Sequence, residues 1–173
     1  PLNQVRYVAD QNGASTQYKE IQKYDVGETY YICRCGRTHN YPFCDGSHLT
    51  GVPFDGTETA PHVGYEQMAE KITGQQIDLL DADDLCAAAR FCDTFGSTWK
   101  LVKESTDPKS IESIKQQCAD CPSGRLTPVT KDGEVIEPEL PQEISILEDV
   151  PAHAHASVWV KGGIPVEDAK GYT

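Results

Sequence analysis

The stretch from Cys33 to His48 reads Cys-Arg-Cys-Gly-Arg-Thr-His-Asn-Tyr-Pro-Phe-Cys-Asp-Gly-Ser-His. Three cysteines and a terminal histidine in one short loop are a complete four-donor set. Thiolates suit zinc, copper(I) and iron–sulfur clusters, and imidazole also suits zinc and iron. This chemistry supports two readings. One is an ordinary closed tetrahedral zinc site. The other is a 2Fe–2S cluster, with Cys33 and Cys35 on one iron and Cys44 and His48 on the other. Structural zinc sites usually open with two to four residues between their first cysteines, whereas only Arg34 stands between Cys33 and Cys35. The spacing tilts slightly towards the cluster and leaves zinc open.

The pattern Cys33-x-Cys35-x-x-Thr38-x-x-x-Pro42-x-Cys44-Asp45-Gly46-Ser47-His48 resembles, at every fixed position, the signature of the CDGSH iron–sulfur family (mitoNEET-like proteins). The resemblance implies a 2Fe–2S cluster on Cys33, Cys35, Cys44 and His48. The flank Phe54-Asp55-Gly56-Thr57-Glu58-Thr59 is similar to the segment on the C-terminal side of the motif in bacterial members. A neutral imidazole in place of one thiolate makes such a cluster less negative and raises its reduction potential, the direction seen in the two-histidine Rieske centre. A ligating histidine must be unprotonated on its metal-facing nitrogen, so pH, redox state and cluster retention are expected to be coupled. Arg34, Arg37 and His39 lie beside the ligands and are expected to be solvated, with charge tuning or partner contact as the sharper reading. Asp45 is expected to cap a short helix or to bond backbone near the cluster.

A second set of cysteines comes later: Cys86, Cys92, Cys118 and Cys121. Cys118-x-x-Cys121-Pro122-Ser123-Gly124, with Cys86 and Cys92 upstream, resembles the divergent single-cluster ferredoxin domain over about residues 75–130. Cys-Pro is how the last ligand of a bacterial ferredoxin run appears. The resemblance implies a second cluster on Cys86, Cys92 and Cys121, with Cys118 as a fourth ligand or an extra residue. Three thiolates suit a 3Fe–4S or a site-open 4Fe–4S cluster, and four close a 4Fe–4S cluster. Zinc held by the four cysteines, or inert buried thiols, are the competing readings. His153 and His155 alternate with Ala and would share one face of a strand, which is weak grounds for metal. His62 reads as an isolated surface residue.

The elements that position these groups are short. Val5–Val8, Thr29–Ile32, Gln76–Leu80 and Ile144–Leu147 read as strands, and Asn12-Gly13 and Lys131-Asp132-Gly133 as tight turns. Residues 51–64 read as a linker, and Tyr65–Ile72 as a helical turn or two. Asp83-Asp84 predicts a helix running to Phe91. Asp107 as cap with Pro108 at the first position predicts another to Gln117, with Ile111 and Ile114 inward. The expected architecture is α+β: a small β-rich CDGSH module over 1–62, a small ferredoxin-like α/β module over 63–130, and an extended segment with a terminal strand over 131–173, all stabilised by metal. The tail Val158-Trp-Val-Lys-Gly-Gly-Ile-Pro-Val is similar to the element that precedes the CDGSH loop. The chain is therefore expected to be a piece of a longer tandem protein, its tail strand filling a slot beside the first module in the same or a neighbouring molecule.

Composition narrows the function. The chain has 173 residues, 38% of them hydrophobic, and a formal net charge of −12. That balance argues against nucleic acid and anionic membranes, which call for clustered Lys and Arg. No run approaches the ~18 apolar residues of a membrane helix. Seven cysteines is an odd count that suits metal thiolates in a reducing, cytoplasmic setting better than disulfides. No Gly-x-Gly-x-x-Gly or nucleophile elbow is present, so no reaction of its own is expected. The expected function is single-electron transfer between redox partner proteins, in a homodimer or a tandem monomer. Storage, delivery to apo-cluster acceptors or redox sensing is the alternative, and a zinc-binding structural protein the third.

Overall fold

The computed structural model describes residues 1–50, 62–150 and 152–171. The flank at Phe54–Thr59 and most of the expected linker lie outside the described residues. The described residues mix helices and strands, compatible with α+β, and form two sheets. β1 (Leu2–Ala9) and β2 (Ser15–Tyr24) form an antiparallel hairpin. Asp10 accepts the amides of Asn12 and Ala14, and Gly13 takes φ 85°. Far along the chain, β6 (Glu143–Asp149) and β7 (Ala154–Lys161) complete a four-stranded sheet of order β2-β1-β6-β7. β6 runs parallel to β1, so that Leu2 faces Ile144 and Gln4 faces Ile146. The tail strand thus joins the sheet of the N-terminal hairpin within one chain, with β6 between it and β1.

The second sheet is small: β3 (Glu70–Ile72), β4 (Asp78–Asp81) and β5 (Leu126–Val129), ordered β3-β4-β5 and antiparallel. A one-turn helix α1 (Tyr65–Met68) precedes it. Two longer helices, α2 (Thr98–Glu104) and α3 (Pro108–Ala119), belong to the same unit. Asp107 caps α3 by accepting the Ser110 amide at 3.0 Å, with Pro108 inside the first turn. Ile114 is buried and Ile111 packs beside it, in a core that also holds Ile77, Leu79, Val102 and Leu126.

Several expected elements differ. The run after Asp83 is not a helix to Phe91. A 3-10 turn covers Asp83–Leu85, the chain then runs irregularly, and a second 3-10 turn covers Phe91–Asp93. Ala88 and Arg90 hold φ of 52° and 63°, which a right-handed helix forbids. Tertiary contacts override the helical propensity of the alanines: the Ser15 amide donates to the Arg90 carbonyl at 3.2 Å, and the Arg90 guanidinium holds Asp149 at 3.0 and 2.9 Å. Thr29–Ile32 is not a strand but a single bridge from Ile32 to Phe43. Tyr65–Ile72 splits into α1 and β3. His153 sits in the turn before β7 at φ 52° and shares no strand face with His155. His62 is not isolated, because its Nε2 lies 2.7 Å from Asp168. Among the described residues no helix is long and apolar enough to cross a membrane.

The two units meet at a second core. Val5, Tyr7 and Leu147 from the four-stranded sheet and Trp159 from β7 enclose Ala89 and Phe91 from the irregular cysteine loop. Tyr18 stacks on Phe91 with ring centroids 4.4 Å apart, and lies 4.8 Å from Trp159. The Tyr18 hydroxyl donates to the Asp120 carbonyl at 2.7 Å, and the Thr94 hydroxyl to the Ser15 carbonyl. These contacts tie the residues flanking Cys92 and Cys121 to β1 and β2.

Candidate metal centres

The first centre is built almost wholly by its own backbone. The Cys33 amide donates to the Pro42 carbonyl and the Cys44 amide to the Tyr31 carbonyl, both at 2.8 Å. This closes the loop like a one-bridge hairpin and brings its two ends together. Inside it, the Thr38 hydroxyl donates to the Phe43 carbonyl at 2.6 Å and accepts the Asn40 amide at 3.0 Å. Asp45 accepts the amides of His39 (2.8 Å) and Ser47 (3.0 Å), and the Ser47 side chain foremost, then these two amides, hold its carboxyl well below the usual carboxylate range. Gly36 and Gly46 take φ of 70° and 84°, and Gly46 leads into the 3-10 turn Ser47–Leu49 that presents His48.

The four donors form two pairs. Cys33 Sγ lies 3.7 Å from Cys35 Sγ, and Cys44 Sγ lies 3.6 Å from His48 Nδ1. A tetrahedral ion bound at about 2.3 Å by sulfur and about 2.1 Å by nitrogen needs donors about 3.8 Å apart for two sulfurs and about 3.6 Å for sulfur and nitrogen. Each pair therefore has the bite of one metal ion. Both pairs line one cavity of about 150 Å³, with Tyr31, Ile32 and Arg34. Among the described residues no three His, Cys, Asp or Glu side chains gather about a single ion position. Two bites facing a shared cavity suit a binuclear cluster better than one zinc ion. Burial works against the Cys33 thiolate, but backbone bonds at Thr38, the Cys35 thiol, and bonds at Gly36 and Arg37 outweigh it and lower its pKa. A thiolate wrapped by donors is what metal ligation needs.

The second centre is assembled from distant elements. Cys86 leaves the first 3-10 turn, Cys92 sits in the second, and Cys121 follows the end of α3. The Cys121 amide donates to the Cys118 carbonyl at 3.1 Å and the Gly124 amide to the Cys121 carbonyl at 3.2 Å, turning the chain back towards β5. Cys86, Cys92 and Cys121 line one pocket together with Ala87–Ala89, Trp99 and Arg125. Cys118 does not line it. Its side chain is buried in the core beside Ile114 and Leu126, and burial pushes its thiol up. Burial, then the Asp93 charge, pushes the Cys92 thiol to about 11, a proton that metal binding would displace. Three soft donors around one pocket fit a multi-iron cluster, whose ligands stand apart around it.

Sequence reasoning missed the charged frame of this pocket. Arg125 Nε and Nη2 reach Asp81 at 2.6 and 3.0 Å, and Nη2 reaches Asp83 at 2.6 Å. Trp99 Nε1 donates to Asp81 at 2.8 Å, and the guanidinium lies 5.3 Å from the Trp99 ring centroid. The signal available was a cation four residues after Cys121, without a visible partner. His155, weak as a metal candidate, bonds Glu148 at 2.7 Å and stacks on Tyr41 of the ligand loop, with centroids 4.3 Å apart.

Comparisons with known proteins match two families, one to each stretch of the chain that carries a cysteine set. Residues 3–49 match the family model described as iron-binding zinc finger CDGSH type, and residues 72–131 the one described as divergent 4Fe-4S mono-cluster. The CDGSH iron-sulfur domain-containing protein 3, mitochondrial, of Mus musculus is 48% identical over 40 residues, which are 20% of this chain and 29% of that protein. The chain thus spans under a third of the relative it matches. No solved structure matches. Two stretches of the chain, residues 3–49 and residues 72–131, thus match a CDGSH-type iron-binding model and a divergent 4Fe-4S mono-cluster model, which together support iron–sulfur binding.

Proposed function

We propose that the chain relays single electrons between partner proteins through two centres: a 2Fe–2S cluster held by Cys33, Cys35, Cys44 and His48, and a second cluster held by Cys86, Cys92 and Cys121. The observation that carries this reading is the presence, within a single chain, of two chemically different donor sets: the pairs Cys33–Cys35 and Cys44–His48 around one cavity, and Cys86, Cys92 and Cys121 around another pocket. When bound, such clusters take up and give back one electron at a time, at potentials set by ligation, charge and hydrogen bonds. The chain's own residues do the rest. The loop backbone aims donors at Cys33, Arg125 faces the second pocket, and Cys118 stays in the core rather than among the ligands. The second unit is read as a ferredoxin-like module. Three thiolates assign it a 3Fe–4S or a site-open 4Fe–4S cluster. Carriers of this kind need a docking partner and no substrate pocket, in a reducing compartment such as the cytoplasm.

A second reading, cluster delivery to an apo-acceptor, is favoured by one feature: the His48 loop lies at the surface, with Leu49 78% and Tyr31 74% exposed beside the donors. Iron, sulfide and zinc content on anaerobically purified protein, with visible and paramagnetic-resonance spectra, tests both. Five or six irons per chain are expected. Two irons would leave the second pocket without a cluster, and zinc without sulfide would end the redox reading. Mixing the reduced protein with an apo-ferredoxin then separates relay from delivery, since a relay keeps its iron.

A further inference from the structure

Arg125 has two unusual features together. Its side chain is only 13% exposed, and it belongs to the wall of the pocket formed by Cys86, Cys92 and Cys121. Its bonds fix it rigidly. Asp81, itself 11% exposed, grips it through two nitrogens and is held in turn by Trp99. Asp83, 85% exposed, takes a third contact from the solvent side. Cys86 is the most exposed of the three pocket cysteines, and the turn before it is a single 3-10 turn without a side-chain cap. The planar guanidinium fork on Asp81 holds the charge in place at this wall. Arg90 also borders the pocket, but its guanidinium is spent on Asp149 and the Gly13 and Ala88 carbonyls.

We propose that Arg125 is a tuning residue of the second centre: it sets a shielded positive charge in the wall beside the thiolates, which makes that centre easier to reduce. The inference rests on the reading that Cys86, Cys92 and Cys121 hold the second cluster. The sign comes from electrostatics. Reduction adds one negative charge to the pocket, and a nearby cation in a partly desolvated wall lowers the energy of that state. Loss of Arg125 also leaves Asp81 uncompensated at the same wall, which pushes in the same direction.

The test is a potentiometric titration of both centres in the full chain, following each by its paramagnetic-resonance signal. At a fixed potential, Arg125→Met is expected to lower the reduced-to-oxidised ratio of the second centre about tenfold, equivalent to about 59 mV for a one-electron couple. The first centre should not move. Arg125→Lys keeps the charge and should recover most of the shift, although the planar fork on Asp81 is lost. Asp83→Asn touches only an exposed carboxylate and should move the ratio the other way, by about twofold after solvent screening. It decides the matter if the Arg125 variants fail to fold. A second centre whose ratio ignores Arg125→Met, or does not rise in Asp83→Asn, overturns the inference. A wild-type chain with no second signal would instead sink the two-cluster reading on which it rests.

Discussion

The two cysteine sites are built in opposite ways. The first gathers its donors from one stretch, and hydrogen bonds within Tyr31–Leu49 close its loop. The second takes its donors from two 3-10 turns and a helix end, braced by a buried ion pair, a tryptophan and the joint around Phe91. The first therefore depends on local backbone geometry, and the second on the fold around it. A damaged core should strike the second while sparing the first.

The largest expected effect sharpens this contrast. Cys121→Ser should strip the second centre of iron and lower the unfolding temperature of its unit, because metal binding in a small module is folding free energy. Cys44→Ser should remove two irons and leave the second spectrum untouched. Iron counts on the two variants, read beside calorimetry, check the pair of outcomes. Next comes Phe91→Ala. Phe91 is 1% exposed in the joint, and truncating a buried phenylalanine costs about 3–5 kcal/mol. The second centre should lose iron at lower denaturant than the first, and equal losses would break the comparison.

A smaller effect is expected at the edge of the joint. Hydrogen bonds from Arg90 hold the Asp149 carboxyl below its ordinary range. A carboxylate whose pKa is lower folded than unfolded adds stability above its unfolded pKa of about 3.9 and loses it as pH falls towards the folded value. Asp149→Asn should cost about 2 kcal/mol at neutral pH, a deficit that shrinks below about pH 4. Urea titrations at pH 7 and pH 3 measure it. The smallest effect belongs to His155→Ala, which removes the stack on Tyr41 at an exposed site and should cost under about 1 kcal/mol, with only a modest quickening of iron loss from the first centre.

Legibility in the chain divides along the same contrast. The donors at Cys33, Cys35, Cys44 and His48 are neighbours in sequence, so their types and spacing could be read directly. The helix from Pro108 could be read as well, because Asp107, Pro108, Ile111 and Ile114 are local signals. The loop from Cys86 to Cys92 misled, because three alanines favour a helix while Arg90 is pulled to Ser15 and Asp149, distant residues no local pattern reveals. The helix at Thr98–Glu104 is too short to show a clear period. Arg125 could be seen only as a charge near a cysteine, since Asp81 and Trp99, which give it meaning, reach it through a sheet and a helix.

The parallel pairing of β1 with β6 has a consequence for the order in which the molecule is made. Ribosomes add roughly 5–20 residues per second, so the interval between His48 and Glu143 is on the order of 5–20 s. Throughout it, the ligand loop exists beside a hairpin of two strands, and the strand that will lie against Leu2–Arg6 has not been synthesised. The sheet behind the loop closes only after the cysteines of the second unit have emerged, so the vectorial growth of the chain offers the two sites to the cell's iron supply one after the other.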